Sequence, residues 1–105
     1  MSYGRYTIGI PGVGELFEFD AARSRQLAPY LSLVLSRPLV TNPLSNPLMQ
    51  AVKGARFAVV VVRRYDTGGS LLRSVEYSDA IIQNVIDGPD LIVEFRYVSA
   101  KEVGT

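Results

Sequence analysis

Phe57–Tyr65 reads FAVVVVRRY, Asp66–Ser70 reads DTGGS, Leu71–Val85 reads LLRSVEYSDAIIQNV and Leu91–Val98 reads LIVEFRYV. The β-branched run Val59–Val62 favours extended backbone, and the absence of a polar break from Ala58 to Val62 predicts a strand covered on both faces. Asp66–Ser70 is a hairpin loop whose glycines admit positive φ. The long segment behind it is a second strand, bent or bulged near Asp79, and Asp87-Gly88-Pro89-Asp90 turns the chain into a third. Side-chain alternation assigns faces. Leu91, Val93, Phe95 and Tyr97 point one way, and Glu94 and Arg96 point the other beside Ile92 and Val98. In the preceding strand Ser74, Glu76 and Ser78 share one side, opposite Arg73, Val75, Tyr77 and Asp79. Each strand thus offers an apolar stripe to a core and a polar one to water.

Working back toward the N-terminus, Tyr6–Ile10 reads as a strand ended by Pro11, Gly12 and Gly14. Glu15–Phe19 reads as another, with Leu16 and Glu18 across the pleat from Phe17 and Phe19. Asp20–Gln26 is a charged connector in which Ala21, Ala22 and Arg23 form a helical turn, and Tyr30–Leu35 is a further strand closed by Ser36, Arg37 and Pro38. Between them and the valine run, Asn46 is placed as an N-cap, Pro47 as the first helical residue and Gly54 as the residue past the end. Leu48, Ala51 and Val52 at i, i+3 and i+4 then make one apolar stripe, so a short α-helix is expected over about residues 47–53, held by docking onto the sheet. The expected fold is mostly β: an antiparallel β-barrel or sandwich with one short α-helix, formed by residues 1–105 as a single domain. Six short strands would leave unpaired edges in a monomer, and the run Phe57–Val62 is aggregation-prone if exposed, which argues for closure or for pairing between subunits.

The composition narrows the chemistry. With 48% hydrophobic and 20% charged residues, the 105-residue chain has the makings of a folded core. Eleven basic against ten acidic residues give a net charge of +1, too little to draw the chain to nucleic acid or an acidic membrane. It has no His and no Cys. That excludes histidine general-base catalysis, Ser-His-Asp and Cys-His nucleophiles, thiol redox chemistry and Cys/His zinc sites. No enzyme activity and no cofactor are expected. Residues 1–6 lack the basic and apolar regions of a signal peptide, and no apolar run approaches the ~20 residues that span a bilayer, so cytoplasmic folding is expected.

The bland readings outweigh the sharp ones at the remaining polar groups. Gly12 and Gly14 make a turn rather than a phosphate loop, because no helix pattern or Lys-Ser/Thr follows. Lys53, Arg56, Arg63 and Arg64 are read as solvated strand ends and salt-bridge partners, not a phosphate site. Asp87 and Asp90 are turn residues, too few for a calcium loop. Glu76, Glu94 and Asp79 fit an exposed polar face better than a hydrolytic carboxylate pair. The six tyrosines, Tyr3 among them, are expected at core edges and interfaces.

The order of these elements resembles the hemolysin-coregulated protein family, the inner-tube subunits of type VI secretion systems, related in fold to phage tail-tube proteins. The likeness starts at Tyr6-Thr7-Ile8-Gly9-Ile10-Pro11-Gly12-Val13-Gly14-Glu15, similar to the family's opening strand and Gly-containing turn. It is strongest at Asn46-Pro47-Leu48-Met49-Gln50-Ala51-Val52-Lys53-Gly54, where the family has a Pro-opened short helix closed by Gly. Phe57–Arg64, Val75–Asn84 and Leu91–Val98 resemble the strands that follow. Family members are longer, and Asp20–Arg25 stands where they carry an extended loop that reaches a neighbouring subunit. A minimal tube protein of a related contractile apparatus or a phage-like subunit fits the shortened loops as well.

The resemblance implies a structural subunit forming rings, hexameric in the family, that stack into a hollow tube. Implied partners are further copies of the chain, sheath, spike or baseplate proteins, and small effector cargo, with assembly in the cytoplasm and export by the apparatus or incorporation in a particle. Candidate lumen-facing or polar-face residues are Ser74, Glu76, Ser78, Glu94 and Arg96, and candidate subunit contacts are Arg23 and Arg25. The alternative is a small β-barrel adaptor or chaperone that binds a peptide or protein partner through a sheet edge.

Overall fold

The valine run forms the central strand of a closed sheet in a computed structural model that describes residues 4–103. The strands are β1 (Arg5–Ile10), β2 (Gly14–Phe19), β3 (Arg25–Leu27), β4 (Tyr30–Pro38), β5 (Arg56–Tyr65), β6 (Leu71–Asp87), β7 (Leu91–Arg96) and β8 (Ser99–Val103). They pair antiparallel in the order β2-β1-β5-β6-β7-β4, and β4 pairs back to β2, closing a six-stranded barrel. β3 lies outside this ring on β4, and β8 lies outside it on β6. Closure is the physical answer to the edge problem posed by the sequence, because each strand of the ring has neighbours on both sides.

The interior is filled by side chains. Ile8, Leu16, Phe17, Phe19, Leu31, Leu33, Val60, Val62, Ile82, Val93 and Phe95 are all buried in one cluster. Fully burying an aliphatic or aromatic side chain of this size contributes about 1.5–3 kcal/mol. Tyr77 and Tyr97 pack edge to face at 4.7 Å, and Phe57 and Phe95 at 6.3 Å. The expected burial of the valine run on both faces holds for Val60, Val61 and Val62, whereas Ala58 is exposed.

Two expectations of alternation give way to irregular pairing. Leu16 does not lie across the pleat from the phenylalanines but is buried with them. The register passes from Ile8↔Phe17 to Gly9↔Glu15, so Leu16 has no partner and is a bulge. A bulged residue can turn inward beside its neighbour. Close approach at this bulge requires glycine, because a Cβ on Gly9 would stand 2.4 Å from the Gly14 carbonyl oxygen. In β6 the inward set passes from Val75 and Tyr77 to Ala80 and Ile82, with Asp79 at φ +53° where it changes. β5 shifts in step from Val62 and Val60 to Phe57. The bend anticipated near Asp79 is therefore present, and it turns a corner of the barrel.

The expected α-helix over residues 47–53 is absent. Two 3-10 turns, Pro43–Ser45 and Pro47–Gln50, stand in its place. Asn46 does not cap with its side chain. It is fully buried, and its Nδ2 donates to the carbonyls of Leu16 at 3.1 Å and Val40 at 2.8 Å. Asn46 still holds the N-cap position of the second turn with Pro47 after it, as expected, and a side-chain cap is found only on the first turn, where Asn42 Oδ1 accepts from the Leu44 amide. Gly54 has φ +91° as expected of a chain-reversing glycine, but its amide donates to the Ile82 carbonyl, tying the segment to β6. Leu48, 1% exposed, is the side chain this segment places in the core.

Other connections follow their sequence chemistry. Asp66 Oδ1 accepts from the amides of Gly68 and Ser70, and Gly69 adopts φ +90°. Residues 21–23 form a turn opened by Asp20, whose Oδ1 accepts from the Ala22 amide.

Candidate functional site

The residues singled out as a polar face all lie on the outside of the barrel. Ser74, Glu76 and Ser78 alternate with the inward Val75 and Tyr77, and Glu94 and Arg96 alternate with the inward Val93 and Phe95. They belong to two separate patches. Ser74, Glu76 and Ser78 sit between β5 and β8, where Glu76 is the cross-strand partner of Lys101 and Ser74 of Arg63. Glu94 and Arg96 sit between β6 and β4, where Ser32 Oγ donates to Glu94 Oε2 at 3.4 Å. The corner at Asp79 divides the two. Glu94 pairs with Asn84, eight positions beyond Glu76 on β6. That is on the order of 25 Å of strand, so these carboxylates are not arranged as the close pair that glycoside hydrolysis uses. Among the described residues there is no cluster of three or more acidic residues that could hold a metal ion.

Of the two candidate contact arginines, Arg23 is engaged within the chain. Its Nε meets Asp20 at 2.8 Å and its Nη1 meets Asp90 at 2.7 Å, joining the β2–β3 connector to the β6–β7 turn. The hydrogen bond from Arg23 holds the Asp20 carboxyl below the usual carboxylate value, while Asp90 foremost and then Asp20 raise the guanidinium's own pKa. Arg25 is exposed on β3 and pairs through its backbone with Ser32.

Among the described residues, two strands, β3 and β8, have a partner on one side only along their whole length. β3 pairs only with β4, and β8 only with β6, so each carries an outer row of unpartnered backbone groups. The sequence reading placed neither strand. Both are short or polar, β3 being Arg-Gln-Leu and β8 Ser-Ala-Lys-Glu-Val, and neither shows an apolar alternation.

Two further groupings were also missed. Between β1 and β2, the hydroxyl of the fully buried Thr7 donates to the Glu15 carboxylate. Tyr65 approaches the same carboxylate, and burial first, then its hydrogen bond to Glu15, pushes its hydroxyl pKa up. At the barrel mouth near the β5–β6 hairpin, Arg64 and Arg73 face each other across the strands beside a cavity. Arg63 and Arg64 point to opposite faces and Arg56 starts β5 at its far end, so the basic residues noted together in the sequence do not converge.

Fold and surface together define a small closed antiparallel β-barrel with two free strand edges on different elements. Comparison with protein-family models, with curated proteins and with solved structures finds no match.

Proposed function

We propose that this chain is a structural subunit that assembles into rings, and by stacking into a hollow tube, as part of a contractile secretion or phage-tail-like apparatus. The observation that carries this reading is the pair of free edges on β3 and β8. Two different edges on one subunit can pair head to tail, and a heterologous contact repeated by rotation closes a ring. Such pairing would satisfy the exposed backbone groups that natural sheet proteins otherwise have to protect. The resemblance in element order to the tube-forming family supports the same conclusion and supplies a hexamer as the expected ring, a cytoplasmic site of assembly, and sheath, spike, baseplate and cargo proteins as partners. The work is done by surface and symmetry, with Glu76 and Ser78 or Glu94 and Arg96 as the polar faces available to a wet lumen; Ser74, expected on the first of these faces, is buried at 7% exposure.

Gel filtration with light scattering, followed by electron microscopy of the peak, tests it. Rings or short tubes are expected, and a strictly monomeric species at high concentration with no rings would overturn the reading. The free edge of β8 also supports a second reading, an adaptor that adds an extended peptide as another strand. A low-order species with one saturable peptide partner would favour that alternative.

A further inference from the structure

The barrel mouth at the β5–β6 hairpin has an arrangement that assembly does not require. Arg64 and Arg73 are direct cross-strand partners, on the side of β5 and β6 that carries Val62 and Val75 inward. Like charges placed opposite one another destabilise an antiparallel pair. Only Arg73 has a carboxylate partner: its Nε meets Glu102 Oε1 at 3.1 Å, with both side chains more than half exposed. Arg64 lies over the Tyr6 ring at 5.6 Å and has no ion-pair partner among the described residues.

Between these groups is a cavity of about 170 Å³. Its buried wall is Val62 and Tyr77 with the partly buried Val75, and its exposed rim is Arg64, Arg73 and Gln26 of β3. An apolar space of about 150 Å³ is enough to take benzene. A guanidinium presents paired N–H donors that match the two oxygens of a carboxylate. We propose that this mouth binds a small carboxylate carrying a ring-sized apolar body, of the arylcarboxylate class. The carboxylate lies between Arg64 and Arg73 and relieves their repulsion, the Gln26 amide donates a further hydrogen bond, and the body rests on Val62, Val75 and Tyr77.

Titration of the full chain with benzoate, followed by NMR, tests this. The expected result is saturable shifts in the Val62 and Val75 methyls, the Gln26 amide and the Arg64 and Arg73 Nε signals. Arg64→Gln and Arg73→Gln should each weaken binding about tenfold, the loss expected for one charge-assisted hydrogen-bonded partner. Arg63→Gln, on the outer face, should leave it unchanged. Benzyl alcohol lacks the charge and inorganic phosphate lacks the apolar body, so both should bind about tenfold more weakly than benzoate. No saturation by about 10 mM benzoate, a weak limit for a site of this kind, would overturn the proposal. So would unchanged affinity in both arginine variants, or phosphate matching benzoate. These readouts follow the mouth residues themselves and are separate from whether the chain forms rings.

Discussion

At the scale of single residues, the barrel depends on a few positions where backbone or hydroxyl chemistry leaves little freedom. Gly9 faces the β2 bulge so closely that a Cβ would meet the Gly14 oxygen at 2.4 Å and the Glu15 Cα at 2.9 Å. Both are backbone atoms and cannot swing aside like the end of a side chain. Gly9→Ala should therefore cost about 1–3 kcal/mol, the range for overpacking a tight site, read as a lower urea midpoint with an unchanged slope. Tyr77 is a different case. Burial, reinforced by Tyr97, raises its hydroxyl pKa above the ordinary 10.0. Its neutral form is thus favoured in the folded state. The associated stability is fully present below pH 10 and is lost as pH rises from there through the raised folded value. Tyr77→Phe cannot ionise, so its melting temperature should fall less steeply than that of the parent above pH 10. Parallel curves for the two proteins would show that Tyr77 does not control alkaline unfolding.

At the scale of elements, what was legible in the sequence followed from periodicity and turn chemistry. The Asp66–Ser70 hairpin, the inward set Leu91, Val93 and Phe95, and the bend at Asp79 all came from local signals that the tertiary structure did not need to override. The 41–54 segment shows the opposite. Asn-Pro-Leu followed by Ala-Val is a fair α-helix opening, yet burial of the Asn46 amide against Leu16 and Val40 fixes the chain in two 3-10 turns. These two hydrogen bonds and the burial of Leu48 hold the segment to the barrel, and a helix too short to be stable alone offers little against them. Of the expected apolar stripe, Leu48 alone is buried and docks the segment, while Ala51 is partly buried and Val52 is 64% exposed. Leu48→Ala should cost about 2–5 kcal/mol, as for other leucines in closed cores. Amide exchange should accelerate across residues 41–54 more than in β5. Uniform acceleration throughout the barrel would instead mean that the segment and the barrel open as one unit.

At the scale of the whole molecule, closure could be argued from the edges, but its partners could not be read from the sequence. β2 meets β4 through Phe17↔Pro38 and Phe19↔Leu35, a pairing set by the shape of the barrel and by no motif in either strand. The polar β8 and the three-residue β3 escaped notice because an exposed edge strand needs no apolar face. Yet these two strands are the part of the candidate assembly surface that closure leaves open. The absence of cysteine gives a clean way to ask whether they meet. Leu27, 74% exposed, sits on β3, and the exposed Ala100 sits on β8. If β3 of one subunit pairs with β8 of the next, the double variant Leu27→Cys with Ala100→Cys should cross-link under a short bismaleimide into a ladder ending at the ring number. Either single variant should stop at chance dimers. A ladder that fails to form in a preparation shown by microscopy to contain rings would place the subunit contact elsewhere on the barrel while leaving ring formation intact. A Leu27→Cys single variant that dimerises as efficiently as the double variant would point to a two-fold β3–β3 contact, which closes at two subunits and cannot propagate around a ring.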